Sequence, residues 1–245
     1  MLFSSRADQA VRNRVPYYPL FLDLRSRKTV VVGAGRVAER KVKSLLAAGS
    51  DVIVVAPRAC PALRKLAAAR KINWRARGYR TQDIEGAVLA FSATDSPEVE
   101  RKVAADAARR GIPINCAAAP ECGSFLVPAQ MRRGSLQIAV STGGASPVLA
   151  RQLARRLKTE FGPQYDEWTR LLSRLRRRIL QSVPAPQRPQ LLERLASDRM
   201  LRWLQQGRGR QAAERAERRV EGWLAQARRN SIGPQERVVS QRPPR

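Results

Sequence analysis

Residues 29–49 read TVVVGAGRVAERKVKSLLAAG, and the rest of the chain is organised around them. Thr29, Val30, Val31 and Val32 form an unbroken β-branched run, which suits a strand buried on both faces of a parallel sheet. Gly33-Ala34-Gly35 turns the chain, and Val37, Ala38, Val42, Leu45 and Leu46 then recur at helical spacing up to Gly49. Strand, glycine turn and helix are the context that a G-x-G-x-x-A pattern requires. Gly33 permits the tight turn, Gly35 lets a pyrophosphate approach the backbone, and Ala38 keeps helix and strand close. The helix N-terminus adds free N–H groups and a partial positive charge. The pattern points to dinucleotide binding; an ordinary strand–helix turn is the plainer alternative.

The following residues continue the alternation. Asp51–Pro57 reads as a second parallel strand, with Ala56-Pro57-Arg58 at its tip. A dinucleotide fold commonly carries an acid there for the ribose hydroxyls. None is present, and Arg58 suits a 2′-phosphate equally well. Pro61–Arg70 reads as a short helix, Ile72–Arg77 as an edge strand, Asp83–Glu85 as a helical turn and Ala87–Ala93 as a buried strand. Ser96 caps a helix that Pro97 opens and Gly111 closes, and Ile112–Cys116 is a further strand. Upstream, Tyr17–Leu24 reads as a short first strand, preceded by a loose basic lead-in over 1–15. The expected fold class is α/β, a Rossmann-type parallel sheet over residues 14–115.

From Ser124 the texture changes. Phe125–Ala129 and Leu136–Ser141 read as two strands joined by the polar stretch Gln130–Ser135, with no helix between them. They point to a small β region, residues 116–147, paired with a second subunit. Thr142-Gly143-Gly144-Ala145-Ser146-Pro147 then opens a helix to about Phe161, with Arg151 one turn in. These glycines and N–H groups suit a carboxylate or phosphate, and equally a plain capped helix. Residues 148–227 form a helical region. Trp168, Leu171, Leu172, Leu175 and Ile179 make one stripe over 164–182, and two further helical stretches follow at 189–206 and 209–227. Residues 228–245 are polar and basic and read as a disordered tail.

Composition limits the chemistry. The 245 residues contain no histidine, which excludes imidazole metal ligands and Ser-His or Cys-His nucleophile pairs. No metal site is expected. Cys60, Cys116 and Cys122 are odd in number and lack C-x-x-C spacing, so a reducing, cytoplasmic setting is expected. No apolar run reaches the roughly 18 residues that cross a bilayer, and no signal-peptide pattern opens the chain. The net charge of +27 has three readings: nucleic-acid binding, attraction of a polyanionic small substrate, or a general arginine bias. With no nucleic-acid motif and few aromatics for stacking, specific nucleic-acid binding is the weakest of these.

Taken in order, Tyr18-Pro19-Leu20-Phe21, the glycine turn with Val37-Ala38-Glu39-Arg40-Lys41, Ala93-Thr94-Asp95, Asn115, Ser124-Phe125, Pro128-Ala129 and Ala139–Pro147 form a recognisable set. The set resembles the precorrin-2 dehydrogenase/sirohydrochlorin ferrochelatase family, the N-terminal module of siroheme synthase. The resemblance covers about residues 16–225. It implies a homodimer of subunits with an NAD-binding Rossmann domain, a central β dimerisation region and a C-terminal helical region. It also implies NAD-dependent oxidation of precorrin-2 to sirohydrochlorin, followed in many members by ferrous-iron insertion to give siroheme.

The cofactor positions so implied are Gly33, Gly35, Arg36, Val37, Ala38, Pro57, Arg58, Thr94, Asp95 and Asn115. Thr142, Gly143, Gly144, Ser146 and Arg151 are the expected contacts of the polycarboxylate tetrapyrrole, which an arginine-rich cleft would attract. The resemblance places an acid/base aspartate three residues after the asparagine, and this chain has Ala118 there. The catalytic residue is therefore unknown at this stage, with Glu121, Asp95 and Cys116 as nearby substitutes. Dehydrogenation is expected to persist and iron insertion to be weakened or lost. The alternative is a degenerate member that binds tetrapyrrole or NAD without turnover.

Overall fold

The computed structural model describes residues 16–231, which form two compact units divided between Val127 and Pro128. The lead-in over 1–15 and the tail from 232 onward lie outside the described residues.

Unit 1 is a five-stranded parallel sheet in the order β3-β2-β1-β4-β5: β1 Lys28–Val32, β2 Asp51–Val55, β3 Asn73–Arg75, β4 Leu89–Ser92 and β5 Ile114–Cys116. Helices α1 (Arg36–Ala47), α2 (Pro61–Ala68) and α3 (Pro97–Arg109) connect the strands, as parallel pairing demands. Val30, Val31 and Val32 are all buried, with successive side chains entering opposite cores. One core holds Val31, Val42, Leu45, Val54 and Phe91; the other holds Val30, Val32, Ile84, Val103 and Ala107. Thr29 is buried too, and its hydroxyl is satisfied by Ser50 Oγ at 2.8 Å.

The expected first strand at Tyr17–Leu24 is absent. That segment makes no ladder, and Tyr17, Tyr18, Leu20, Phe21 and Leu22 are exposed, Tyr18 by 86%. Apolar composition suggested a strand, but no edge of the sheet receives it. Residues 116–127 belong with unit 1 rather than with the β region that follows. Ser124 Oγ accepts from Ile114 N–H (2.9 Å), Asn115 Nδ2 donates to Phe125 O (3.0 Å), and Phe125 meets Phe91 edge-to-face at 5.5 Å.

Unit 2 opens with an antiparallel hairpin, β6 (Ala129–Arg133) and β7 (Leu136–Val140). The first of these strands lies later than expected, because the apparently polar linker is itself strand. Gly134, at φ 56, makes a two-residue turn with Ser135 possible and fixes the register. Helix α4 (Pro147–Glu160) packs on the hairpin, and Arg133 donates to the carbonyls of Phe161 and Lys158 at its C-terminal end, both at 3.0 Å.

Helix α5 (Gln164–Ser182) buries Tyr165, Trp168, Leu171, Leu175 and Ile179, the expected stripe with Leu172 at its margin. The stretch expected as one helix over 189–206 is two, α6 (Arg188–Leu195) and α7 (Asp198–Gln205), broken at Ala196-Ser197. Helix α8 (Gly209–Ser231) faces α5 through Ala212, Ala216 and Val220, whose small side chains allow close approach. It extends into the segment expected to be a disordered tail, and the remainder of that segment is outside the described residues.

Candidate functional site

In unit 1 the expected cofactor positions gather at or just beyond the C-terminal ends of the parallel strands. Gly33 follows β1, Pro57 and Arg58 follow β2, Thr94 and Asp95 follow β4, and Asn115 lies within β5. β1 is flanked by β2 on one side and β4 on the other, so the chain reverses its winding there and opens a crevice at that edge.

The glycine turn is built for close approach. Gly33 has φ +104, and a Cβ on it would lie 2.1 Å from the Ala93 carbonyl oxygen. Its N–H donates to Val55 O at 2.9 Å, tying the turn to the tip of β2. A Cβ on Gly35, by contrast, would meet nothing within 4 Å. Gly35 is the N-cap of α1 and has no side chain to cap it, so the first N–H groups of the helix are left for a ligand. Arg36 and Val37 are exposed beside them, and Ala38 is fully buried against the strand. An open glycine, an uncapped helix N-terminus and an adjacent Arg fit the pyrophosphate of a dinucleotide.

The opposite rim is held by Lys41. Its Nζ donates to Asn115 Oδ1 at 2.5 Å and lies 5.3 Å from the centroid of the Phe91 ring. Burial, together with the neighbouring Arg40, lowers its affinity for a proton, partly offset by Cys116. Asn115 therefore spends its side chain on Lys41 and Phe125 O and couples α1 to the segment beyond β5.

Ala117 and Ala118 are exposed on that segment and carry no acid. Of the substitute bases considered, Cys116 is unsuitable. Burial, then the charges of Glu100, Cys122 and Glu121, push its thiol up to about 12, leaving it protonated near neutral pH. Asp95 and Glu121 are exposed at the edge. Two polar groups at this edge escaped the reading of the sequence. Ser92, which ends β4, and Glu100, on α3, are both buried.

The second glycine turn lies in unit 2. Ser146 Oγ accepts from Leu149 N–H at 3.2 Å, and Thr142 Oγ1 accepts from Ser146 N–H at 2.9 Å. Gly143 and Gly144, at φ 63 and 92, are exposed, as is Arg151. Among the described residues, no three Cys, Asp or Glu side chains are grouped so as to hold a metal ion, and no helix is long and apolar enough to cross a membrane.

A doubly wound sheet with an open, uncapped glycine turn at its switch point defines a dinucleotide-binding domain. Residues 20–129 match the family described as putative NAD(P)-binding, and residues 133–160 match the central segment of sirohaem biosynthesis proteins. Siroheme synthase of Methylococcus capsulatus is 42% identical over 170 residues, covering 69% of this chain and 36% of that protein. Siroheme synthase of Thioalkalivibrio sulfidiphilus is 35% identical over 209 residues, covering 85% and 43%. The chain thus spans less than half the length of these relatives. The solved structure of SirC, a precorrin-2 dehydrogenase, superposes with a TM-score of 0.69 at 26% identity, covering 82% of this chain and 100% of that one. The chain is thus similar to part of these siroheme synthases and, over the whole of that protein, to a precorrin-2 dehydrogenase.

Proposed function

We propose that this chain catalyses the NAD-dependent dehydrogenation of precorrin-2 to sirohydrochlorin in siroheme biosynthesis. The observation that carries the reading is the Gly33–Gly35 turn at the switch point, together with a likeness to SirC that spans the whole of that dehydrogenase. When bound, NAD supplies the hydride acceptor. The α1 N-terminus, Gly35 and Arg36 would hold its pyrophosphate, and Val37, Pro57, Arg58, Thr94, Asp95 and Asn115 would contribute the rest of its site.

The tetrapyrrole is a polycarboxylate, and the chain's +27 charge favours its capture. Thr142, Gly143, Gly144, Ser146 and Arg151 are its proposed anchors, through the exposed glycine turn and a guanidinium. The chain works as a homodimer in the cytoplasm. Exposed apolar side chains on each unit support pairing with a second copy: Tyr18, Leu20 and Phe21 on unit 1, and Val148, Leu149 and Leu153 on unit 2. Free Cys60, Cys116 and Cys122 suit a reducing compartment. Iron insertion is weak or lost, because Ala118 offers no carboxylate to the incoming metal.

Anaerobic mixing of the protein with precorrin-2 and NAD tests the reading. NADH and sirohydrochlorin are expected to appear in equal amounts, and added ferrous iron to give siroheme no faster than it forms without protein. Tight binding of precorrin-2 without NADH formation would contradict it and point to a carrier.

A further inference from the structure

Dehydrogenation of precorrin-2 releases more than a hydride. One C–H bond of the substrate breaks with its electron pair passing to the nicotinamide ring, and a proton leaves a neighbouring N–H or C–H. Either water or a group at the C-terminal edge of the sheet accepts that proton, and the exposed alanines at 117 and 118 do not.

The described residues bury three carboxylates, and all three are in unit 1. Asp83 is matched by Arg75 and Arg77, and Asp106 by Arg109 and the Tyr79 hydroxyl. Glu100, 2% exposed, is the exception. Among the described residues no Lys or Arg forms an ion pair with it, and its Oε1 accepts from Ala118 N–H at 3.3 Å. A buried carboxylate without a cation is costly to keep, and proteins tolerate such groups chiefly where they do chemistry.

Its surroundings strengthen the case. Ser92 shares the sheet face with Ala90, the face that α3 covers, and its buried hydroxyl has no hydrogen-bond partner among the described residues. Cys116 lies on the same face, and the thiols of Cys116 and Cys122 both feel the Glu100 charge. Ala118, whose N–H meets Glu100, stands between Ala117 and Ala119, so the segment that reaches Glu100 carries no side chain larger than a methyl.

We propose that Glu100 is the base of the reaction, taking at Oε2 the proton that leaves the tetrapyrrole as its hydride passes to NAD, and returning it to solvent. The proposal rests on the dehydrogenase reading above. The exchange balances: precorrin-2 loses a hydride and a proton, NAD becomes NADH, and Glu100 is restored once its proton has left. The bond from Ala118 N–H holds Oε1 in place beneath the turn.

Glu100→Gln separates chemistry from architecture, since the amide oxygen still accepts from Ala118 N–H while the basic oxygen is gone. NADH formation from precorrin-2 is expected to fall about a hundredfold in kcat, with the KM for NAD unchanged. Adding Ala118→Asp to that variant is expected to restore much of the rate. Alkylation of Cys122, followed by mass spectrometry with no substrate present, is expected to be faster in Glu100→Gln, because removing the nearby negative charge favours the thiolate. A Glu100→Gln enzyme with the wild-type kcat, or with unchanged Cys122 alkylation, would overturn the assignment while leaving the dehydrogenase standing. A wild-type protein that forms no NADH would remove the functional reading and this assignment together.

Discussion

Two glycine turns, one in each unit, lead into helices whose N-termini are finished in opposite ways. At Gly33–Gly35 the cap residue is a glycine without a side chain, and the first N–H groups of α1 are left unclaimed. At Thr142–Ser146 two hydroxyls claim the corresponding donors: Ser146 takes Leu149 N–H and Thr142 takes Ser146 N–H. The sequence patterns look alike, yet the first turn is open and uncapped and the second is a closed cap beside the exposed Gly143, Gly144 and Arg151. Glycine content alone therefore does not identify a phosphate site. What distinguishes one is the missing cap side chain and the clearance around Gly35.

The largest effect is expected at Gly33. Alanine there meets the Ala93 carbonyl at 2.1 Å and must adopt φ +104, so Gly33→Ala is expected to cost more than about 3 kcal/mol and to abolish folding of unit 1. Gly143→Ala, at φ +63 in open space, is expected to cost only about 1 kcal/mol in denaturant unfolding. Equal losses would erase the structural distinction between the turns.

The units also differ in how they respond to acid. The buried carboxylates of the described residues are all in unit 1, while the core of unit 2 is apolar. Burial alone would raise the Asp83 carboxyl, but hydrogen bonds from Arg77, the Arg80 N–H and Arg75 outweigh it and hold Asp83 well below the usual range. The unfolded chain therefore takes up that proton first. The stabilisation is complete above about pH 4 and is lost as the pH falls from there through the lower native value. Hydrogen exchange resolved by region is expected to show unit 1 opening first on acidification, and Asp83→Asn is expected to cost about 3 kcal/mol at neutral pH. Loss of protection in unit 2 before unit 1 would contradict this.

Smaller effects sharpen the contrast further. Ser146→Ala removes a cap and is expected to cost about 1 kcal/mol, measurable as a lowered melting temperature. Gly35→Ala, at φ −84 with nothing within 4 Å, is expected to change stability by less than about 0.5 kcal/mol. Its effect falls on the ligand instead.

Much of unit 1 was legible because local and global signals agree there. The valine run, the Gly33 turn and the Ser96-Pro97 start are read from adjacent residues, and each element formed where expected. Tyr17–Leu24 misled because apolar composition marks a surface that gets buried without naming its partner, and of this segment it is Leu24 that enters a core of unit 1 while Tyr17, Tyr18, Leu20, Phe21 and Leu22 stay exposed. The strand Ala129–Arg133 was read too early, since its alternation of Gln130, Met131 and Arg132 buries only Met131 and so resembles a polar linker. Lys41 and Asn115 meet across 74 positions of sequence, a pairing no local pattern reveals. Glu100 left a signal that went unused: it shares helical spacing with Val103 and Ala107, which puts a carboxylate on the buried face of α3.

The most direct test is a titration of NAD into the wild-type protein and Gly35→Ala, followed by protein fluorescence. The account predicts that the added methyl weakens NAD at least about tenfold, a loss near 1.4 kcal/mol, while the melting temperature holds. Equal NAD affinity in the two proteins would contradict the claim that the open turn after β1 is where the cofactor lies.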